Sequence, residues 1–457
     1  MFFEQIKTPG LGCFSYIIGS PEAGVMAVFD PRRDIDIYLR ISEEYGMRVT
    51  HIFETHVHAD HVSGAQALRA ATGADICIHE SAAVTYEAKK LSTGDEFVFG
   101  DAAVLTLHTP GHTPHSVSFL VTDLVRSTEP EMILTGDLLF VGDVGRPDLA
   151  GEELLADQVE DLYDSLYKVL SQLPGYLEVY PAHGQGSLCG HAMSDKPFTT
   201  LGYERLANPM LRFHDFDQFK YAILLNLPMQ PQSFTSIIAA NLQGAAILQE
   251  LGGEPFALTP DQADEFLKAG AELLDLRDAL SYSEAHIPGS VNVDFSGGPQ
   301  LNWVGMAVPP GKPLVLALPA DEGFEDVCIE LRRIGYDAVK GWLKGGIPSW
   351  AGSGRAMQVL PYISVPDLRA RLDGPNPPAV YDVRTIEEFA YMKIEGAVNL
   401  TIDRIAEQGE CPVSLDAEVV IVCQSGFRAG IAASMLQARG CAHVFVLAGG
   451  MEAWQQA

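Results

Sequence analysis

Residues that could bind a metal ion are concentrated in four short segments of the first half of the chain. Each segment follows a strand-like run of apolar residues, and the densest one is Thr55-His-Val-His-Ala-Asp-His61. Neutral imidazole and carboxylate groups are ligands that both zinc and iron accept. Because loops at strand ends can aim several side chains at one point, we predict one composite metal site, with His115 as a neighbour rather than a ligand. The seven candidates are His56, His58, Asp60, His61, His112, Asp137 and His183.

A cysteine after a strongly apolar run is the second candidate for chemistry. The run Glu418–Val422 leads to Cys423, a short loop containing a glycine follows, and a helix-like segment begins at Ala429. Backbone N–H groups around the sulfur and the positive end of a helix both favour a thiolate. Arg428 adds a positive charge that can hold an anion, so we predict that Cys423 is a nucleophile and that Arg428 binds its substrate. The loop between them consists of Gln424, Ser425, Gly426 and Phe427.

The elements that must position these residues differ between the two halves of the chain. Residues 1–225 alternate β-rich runs with helical stretches, and residues 226–255 are typical of a linker helix. The remainder contains two copies of one pattern: an Asp-x-Arg motif, an asparagine 17 residues after that aspartate, and a closing Gly-Gly-x-x-x-Trp. A repeat of this length indicates a duplicated domain, here with a small parallel α/β sheet. We assign the copies to residues 256–352 and 357–457.

The first copy lacks the nucleophile of the second. Leu318 aligns with Cys423, and the loop after it is acidic, which would repel an anion. Cys328 lies ten residues further on, within a helix-like run, and cannot replace the missing cysteine. We therefore predict that residues 256–352 form a catalytically inactive domain with a role in packing or docking.

Composition limits the classes of partner. The 457 residues include 30 Lys and Arg against 60 Asp and Glu, a net charge of −30, which argues against nucleic acids and anionic membranes. We find no signal peptide and no transmembrane run. Seven cysteines without a CxxC motif indicate reduced thiols, so we predict a cytoplasmic protein, and we expect a homodimer. The cysteines predicted to be structural are Cys13, Cys77, Cys411 and Cys441.

The metal-binding segments resemble those of the metallo-β-lactamase superfamily: His-x-His-x-Asp-His, Gly-His-Thr, Gly-Asp and Pro-Ala-His. The resemblance covers about residues 1–220 and implies an α/β fold, the αββα sandwich, with the metal at one edge. Because all seven ligand positions are present, one interpretation is a glyoxalase II-like thioester hydrolase with two zinc ions. Zinc, as one ion or two, is also the alternative to iron as the cofactor. The persulfide dioxygenase branch instead implies a single Fe(II) bound by His56, His112 and Asp137. The other four residues would then orient these ligands and handle protons.

Local sequence favours the persulfide dioxygenase interpretation. Gly142-Asp-Val-Gly-Arg-Pro-Asp148 looks like the Gly-Arg-x-Asp stretch of those enzymes, in which Arg146 orders the active-site loop or the substrate path; the alternative is a salt bridge with Asp148. Cys189, six residues after the last ligand histidine, is either a relay for sulfane sulfur or a small buried loop cysteine. Glutathione-dependent members carry a tyrosine where this chain has Gln185, so the thiol carrier stays open.

The Cys423 loop and its flanking motifs resemble the rhodanese sulfurtransferases over about residues 357–457. A six-residue loop goes, in that family, with sulfur rather than phosphate or arsenate. The resemblance implies that Cys423 carries a persulfide and that Arg428 and the loop amides bind sulfite or thiosulfate. We therefore predict iron-dependent oxidation of a low-molecular-weight persulfide by O2 to sulfite, coupled to sulfur transfer that gives thiosulfate, in sulfide detoxification. A sulfur carrier or sensor without enzymatic activity is the remaining alternative.

Overall fold

The computed structural model describes residues 1–213, 215–225, 227–248, 256–407 and 411–457, and these separate into two compact units. The first unit contains Met1–Pro228 and a segment that begins at Thr235. The second contains Met229–Phe234 and the described chain from Phe256 onward. His214 and the last part of the predicted linker, residues 249–255, lie outside the described residues. No helix within the described ranges is long and apolar enough to cross a membrane.

Two six-stranded mixed sheets form the first unit. The first sheet has the order β1-β2-β3-β4-β5-β6. Its strands are β1 (Phe2–Thr8), β2 (Cys13–Ser20), β3 (Val25–Phe29), β4 (Arg48–Phe53), β5 (Asp75–His79) and β6 (Lys89–Leu91). The second sheet has the order β12-β11-β10-β9-β8-β7. Its strands are β7 (Glu96–Phe99), β8 (Ala102–His108), β9 (Val117–Asp123), β10 (Met132–Gly136), β11 (Glu178–Pro181) and β12 (Thr199–Thr200).

Helices cover the outer faces of the two sheets. They are α1 (Asp36–Tyr45), α2 (Ala65–Thr72), α3 (Leu155–Asp164), α4 (Leu201–Ala207), α5 (Phe216–Leu225) and α6 (Ser233–Gln243). Apolar residues of α1 and α2 pack on the first sheet, and those of α3 and α5 pack on the second. Between the sheets, the ring centroids of Phe29, Phe53 and Phe119 lie 4.8 to 5.3 Å apart within a shared core that also contains Cys77. The layers are therefore helix, sheet, sheet, helix, and the predicted αββα sandwich is confirmed.

Two five-stranded parallel sheets form the second unit, with the orders β13-β17-β16-β14-β15 and β18-β22-β21-β19-β20. The strands are β13 (Phe256–Leu258), β14 (Glu272–Asp275), β15 (Val291–Asn292), β16 (Leu314–Ala317), β17 (Val339–Leu343), β18 (Tyr362–Ile363), β19 (Ala379–Asp382), β20 (Val398–Asn399), β21 (Glu418–Val422) and β22 (His443–Leu447). The helices are α7 (Pro260–Lys268), α8 (Ala279–Glu284), α9 (Gln300–Ala307), α10 (Phe324–Arg333), α11 (Gly346–Gly352), α12 (Val365–Leu372), α13 (Ile386–Tyr391), α14 (Ile402–Ala406), α15 (Phe427–Ala438) and α16 (Gly450–Gln456). The two sheets share one topology, which confirms the duplication.

The repeated Asp-x-Arg and asparagine residues brace both sheets in the same way. In the first copy, the Arg277 guanidinium donates to both carboxylate oxygens of Asp275, at 2.9 and 2.7 Å. The Asn292 amide donates to the main-chain carbonyls of Asp275 and Arg277. The same bonds recur in the second copy among Asp382, Arg384 and Asn399. The spacing is repeated because the motif ties the turn after one strand to its neighbouring strand.

Candidate metal centre and cysteine loop

The candidate metal centre lies where strands of both sheets of the first unit end. The chain runs from β4 into the His-x-His-x-Asp-His segment, from β8 into His112, from β10 into Asp137, and from β11 into His183. All seven predicted residues are at most 4% exposed. Overlapping clusters of their ligand atoms, within 4.8 Å of one another, join most of them, and the His58 ring lies 4.3 Å from that of His56. The structure thus brings together every residue that the sequence proposes for this site.

Three of these residues converge with unpartnered atoms. The Nε2 atom of His112 lies 3.2 Å from Oδ2 of Asp137, and the Nε2 atom of His56 lies 3.8 Å from the same oxygen. All three atoms are buried and have no hydrogen-bond partner. Buried polar atoms are normally paired, so three of them facing one point are suited to hold a cation. Two imidazoles and one carboxylate match the donor set of mononuclear Fe(II) oxygenases, so these residues fit an iron ion.

Hydrogen bonds to the opposite ring nitrogens fix both histidines in the form a metal needs. The Nδ1 atom of His56 lies 2.9 Å from the hydroxyl of Thr55, which itself donates to Asp30, so Nδ1–H must be the donor. The Nδ1 atom of His112 lies 2.8 Å from the main-chain carbonyl of Arg146, which can only accept. In both rings the lone pair is therefore assigned to Nε2, the atom that points into the centre.

Charge in the centre is also set for metal binding. Burial lowers the pKa of His56 well below its usual value and lowers that of His112. Burial acts to raise the pKa of Asp137, but the neighbouring His183 and His112 lower it overall. At neutral pH the three residues therefore offer two neutral imidazoles and one carboxylate.

Three of the other predicted residues are bonded to one another and to the triad. The Nδ1 atom of His183 lies 2.6 Å from Oδ1 of Asp137, and its Nε2 atom lies 2.9 Å from Oδ2 of Asp60. The Nδ1 atom of His61 lies 3.1 Å from the second oxygen of Asp60. This continuous chain of hydrogen bonds orients Asp137.

His58 belongs to a second buried cluster. Its Nε2 atom lies 3.1 Å from Oδ1 of Asp30 and 3.0 Å from Oε2 of Glu54, while its Nδ1 atom has no partner. Burial acts to lower the pKa of His58, but the two carboxylates raise it well above its usual value. Asp30 has a φ of 49° and is, within the described residues, the single non-glycine residue with a positive φ. Such strain persists where the surroundings hold it, and here Asp30 bonds Thr55 and His58 at once.

Two cysteines border the chain of hydrogen bonds. The Sγ atom of Cys189 is buried and lies within 4.8 Å of ligand atoms of Asp137 and His183. Cys13, at the start of β2, is buried as predicted, but its Sγ atom donates to Oδ2 of Asp60 at 2.8 Å. The prediction that Cys13 lies in the core is confirmed. Its contact with Asp60 was not predicted, because sequence does not show which loop lies beside the first residue of a strand. Burial raises the pKa of both thiols, to about 12 for Cys189.

The Gly-Arg-x-Asp stretch orders the loop after β10 through its main chain. Arg146 is buried, and its guanidinium donates to the two carboxylate oxygens of Asp148 at 2.6 and 2.7 Å. The loop passes so close to the triad that a Cβ on Gly145 would lie 1.8 Å from the carbonyl oxygen of Asp137. The carbonyl of Arg146 then reaches His112. Both alternatives for Arg146, loop ordering and a salt bridge, therefore describe one arrangement.

Two side chains hold the His-x-His-x-Asp-His segment from outside the triad. His115 accepts a hydrogen bond from the Val57 amide on Nε2 at 3.0 Å, and burial lowers its pKa to about 3. It is thus a neighbour of the site, as predicted. Asn241 of α6 donates its amide to the carbonyls of His58 and His61, at 2.9 and 2.8 Å. The helix predicted as a linker therefore fixes the backbone of the metal-binding segment.

In the second unit, Cys423 follows β21 at the N-terminal end of α15. The residue is 1% exposed, and the Gly426 amide donates to its Sγ atom at 3.1 Å. Gly426 has a φ of 110°, a conformation that favours glycine. The sulfur therefore lies beside a backbone N–H and a helix N-terminus, the two groups that the sequence pattern predicts.

Arg428 is paired with a carboxylate that the sequence analysis did not single out. Its two terminal nitrogens donate to the two carboxylate oxygens of Glu388, at 2.7 and 2.6 Å. Burial acts to raise the pKa of Glu388, but Arg428 lowers it overall. Glu388 also accepts from the Thr385 amide at the start of α13. The guanidinium next to the loop is therefore rigidly placed, and its charge is balanced by a residue 40 positions away in the sequence.

The closing Gly-Gly-x-x-x-Trp motif contacts the Cys423 loop through main-chain hydrogen bonds. The amides of Met451 and Glu452 donate to the carbonyls of Cys423 and Gln424, at 2.8 and 3.1 Å. A Cβ on Gly450 would lie 2.3 Å from the Cys423 carbonyl oxygen, so this approach requires glycine. The motif therefore fixes the conformation of the Cys423 loop, which we call its template role.

The first copy also supports the loop of the second. It has the buried Leu318 at the position of the nucleophile. The ring of Trp303 on α9 meets the ring of Phe427 edge-on, with centroids 5.8 Å apart. The main-chain N–H of Asn292 donates to the Ser434 hydroxyl of α15 at 3.0 Å. A copy without a cysteine in its loop thus packs against the helix that follows Cys423.

Comparisons with known proteins agree with this architecture. The model of the metallo-beta-lactamase superfamily matches residues 9–183. A hydroxyacylglutathione hydrolase from Rhizobium etli is 30% identical over 228 residues, which are 44% of this chain and 83% of the relative. The chain belongs to the metallo-β-lactamase superfamily. The model of the rhodanese-like domain matches residues 259–353 and again 364–457, so two rhodanese-like domains follow the metallo-β-lactamase domain.

Two further relatives extend the comparison. Persulfide dioxygenase ETHE1, mitochondrial, of Bos taurus is 28% identical over 248 residues, which are 53% of this chain and 88% of that protein. The crystal structure of a metallo-beta-lactamase from Staphylococcus aureus aligns with a TM-score of 0.66 at 28% identity, covering 75% of this chain and 98% of the other. The aligned 75% of this chain contains more residues than the first unit, so the alignment extends into the rhodanese-like domains.

Four residues that contact the metal centre were not predicted from the sequence. Asp30 and Glu54 directly follow β3 and β4, so the strand-end argument that identified the ligands could have found them. Cys13 and Asn241 carry no such signal, because their contacts depend on how distant segments pack.

Proposed function

We propose that this protein oxidises a low-molecular-weight persulfide with O2 to sulfite at a single-iron site, and that Cys423 transfers sulfane sulfur to sulfite to give thiosulfate. The observation that carries the proposal is the set of three unpartnered atoms on His56, His112 and Asp137. The 28% identity to persulfide dioxygenase ETHE1 supports the same assignment.

The oxidation consumes one persulfide, one O2 and one water and yields one thiol and one sulfite. Iron bound by the triad supplies the redox chemistry by which O2 reacts with the outer sulfur. The protein holds two neutral imidazole Nε2 atoms and one carboxylate oxygen in place, each fixed by a hydrogen bond on its far side. The chain from Asp137 through His183 and Asp60 to His61 takes up or releases protons.

Sulfur transfer takes place at Cys423 in two steps. Its thiolate attacks the outer sulfur of a persulfide, the S–S bond breaks, and the thiol leaves with a proton. Sulfite then attacks the outer sulfur of the Cys423 persulfide, and thiosulfate leaves as the thiolate is restored. The Gly426 amide stabilises the sulfur in both steps, and the Arg428–Glu388 pair fixes the rim of the loop. Overall, two persulfides, one O2 and one water give two thiols, one thiosulfate and two protons.

Oxygen uptake and metal analysis test the proposed oxidation. Protein loaded anaerobically with Fe(II) is mixed with glutathione persulfide or coenzyme A persulfide in an oxygen-electrode cell. We expect O2 consumption with at least one of them, and one iron per chain. No uptake with either persulfide from a chain that holds one iron would contradict the proposal.

A zinc-dependent thioester hydrolase is the second candidate. The unpartnered Nδ1 atom of His58 and the 30% identity to a hydroxyacylglutathione hydrolase favour it. It predicts two zinc ions per chain and hydrolysis of an acylglutathione thioester without O2 uptake. The cytoplasmic location and the homodimer expected from the sequence remain part of our proposal, and the seven free cysteines are consistent with a reducing compartment.

A further inference from the structure

Two cysteines outside both candidate sites lie side by side in the second unit. The Sγ atoms of Cys411 and Cys441 are 3.3 Å apart. Cys411 precedes β21, and Cys441 lies between α15 and β22. A disulfide has an S–S distance of about 2.05 Å. The two sulfurs therefore lie about one ångström beyond the bonding distance.

The pair borders a cavity that also contains Arg439. The cavity, of about 450 Å³, is lined by Cys411, Arg439, Lys312 and Glu272, among other residues, and Lys312 is paired with Glu272. Arg439 donates through Nη2 to the carbonyls of Ala406 and Glu407, while its Nη1 atom is buried without a hydrogen-bond partner. A fixed guanidinium with an unused donor in the same cavity attracts an anionic reagent.

The two thiols differ in access. Cys411 is half-buried, whereas Cys441 is 1% exposed. Burial and the contact with Cys411 raise the pKa of Cys441 to about 12, so Cys441 remains a thiol at neutral pH. A reagent in the cavity therefore meets Cys411 first, and Cys441 can react only with what Cys411 has become.

We propose that Cys411 and Cys441 form a reactive dithiol that persulfides and polysulfides oxidise to a disulfide. Cys411 attacks the outer sulfur of a persulfide, the S–S bond of the reagent breaks, and the thiol leaves. The Cys441 sulfur then attacks the inner sulfur of the Cys411 persulfide, and hydrogen sulfide leaves with the proton of Cys441. The persulfide is the oxidant and is reduced to thiol and sulfide. The inference takes its reagent class from the proposed function.

This dithiol is chemically separate from Cys423. Cys423 follows the last residue of β21, whereas Cys441 precedes the first residue of β22, its parallel neighbour. The five residues of β21 therefore separate the two sites by about 16 Å. The new bond would close a 30-residue loop that contains β21, the Cys423 loop and α15. Oxidation would thus cross-link the two ends of the segment that carries Cys423 and stabilise that segment.

Peptide mass analysis of the full chain carrying Cys423→Ser tests the proposal. The protein is treated with sodium tetrasulfide under nitrogen, remaining thiols are alkylated, and peptides are analysed without reductant. We expect a cross-linked pair containing Cys411 and Cys441, and a higher melting temperature that dithiothreitol reverses. In the matched variant that also carries Cys441→Ser, we expect Cys411 to retain one added sulfur atom, because no partner can release it.

Two results would overturn the inference. One is that Cys411 and Cys441 are both fully alkylated, and so have not reacted. This must hold at a tetrasulfide concentration that converts all of Cys423 to its persulfide in the parent chain. The other is a stable Cys411 persulfide while Cys441 is intact. Neither result bears on O2 uptake, which is measured separately, and the test needs no O2 and no iron turnover. The failure of this inference and the failure of the proposed function are therefore distinguishable.

Discussion

Each imidazole of the metal triad points its free nitrogen inward because another group occupies the opposite nitrogen. Thr55 does this for His56, and the Arg146 carbonyl does it for His112. These contacts join residues that are 1 and 34 positions apart in the sequence. The histidine ligands were predictable because they follow strands in the sequence. The groups that orient them were not predictable, since every residue has a main-chain carbonyl and its contacts give no sequence signal.

Loss of one triad histidine should remove the iron. We expect His112→Ala to reduce iron bound per chain to about a tenth or less, since a two-ligand site holds the metal poorly, with circular dichroism unchanged. His191→Ala, which changes an exposed histidine of the same unit, is the matched control. Iron content is measured by atomic emission after anaerobic loading and desalting. Equal iron in both variants would refute the assigned triad.

The Arg428–Glu388 pair should make the second unit sensitive to acid. The pKa of Glu388 is lowered in the folded state, so its stabilising contribution is present above its unfolded value and is lost as the pH falls through the folded value. We expect Glu388→Gln to cost about 1 kcal/mol at pH 7, reduced by partial exposure, and to flatten the decline of stability below about pH 4.5. Urea unfolding across that pH range, with the exposed Glu395→Gln as control, measures both effects.

At the scale of elements, two short pieces of chain act as templates for reactive loops. Helix α6 fixes the metal-binding segment through Asn241, and the start of α16 fixes the Cys423 loop through main-chain bonds. The repeat made the Gly-Gly motif visible in the sequence, whereas α6 could be recognised only as an apolar helix between domains. Its docking side depends on the packed fold, which is why the sequence suggested a linker.

Removing the Asn241 amide should weaken iron binding without touching a ligand. Two carbonyls of the metal-binding segment would lose their donor, and we expect Asn241→Ala to lower iron affinity by about 10- to 100-fold. Competition with a coloured Fe(II) chelator measures the affinity. Gln243→Ala, an exposed position on the same helix, should leave it unchanged. If both variants bind iron equally well, α6 has no positioning role.

A methyl group on Gly450 should disable sulfur transfer. Its Cβ would lie 2.3 Å from the Cys423 carbonyl, whereas the corresponding glycine of the first copy, Gly346, has a similar φ of 57° and no neighbour closer than 3.8 Å. Both alanine variants carry backbone strain of about 1 to 3 kcal/mol, but only one displaces the loop. We expect Gly450→Ala to lower thiosulfate sulfurtransferase activity at least about tenfold, while Gly346→Ala retains it. Similar activity in the two folded variants would contradict the template role.

At the scale of the whole molecule, one chain combines a metallo-β-lactamase domain with two rhodanese-like domains. The product of the proposed oxidation, sulfite, is the acceptor for sulfur held on Cys423, so the fusion has a chemical reason. The first rhodanese-like copy keeps the bracing Asp-Arg-Asn set and contacts α15, yet presents Leu318 in its loop. Architecture and duplication were predictable from motif spacing, because each motif serves the same turn in both sheets.

The ratio of sulfite to thiosulfate among the products tests most directly whether Cys423 couples persulfide oxidation to sulfur transfer. Iron-loaded protein consumes a limiting amount of persulfide under air, and both anions are quantified by chromatography after bimane labelling. The account predicts that the parent chain forms one thiosulfate for each O2 consumed. Cys423→Ser should consume O2 at an unchanged rate and accumulate sulfite instead. If Cys423→Ser forms as much thiosulfate as the parent chain, the two activities are not coupled through Cys423.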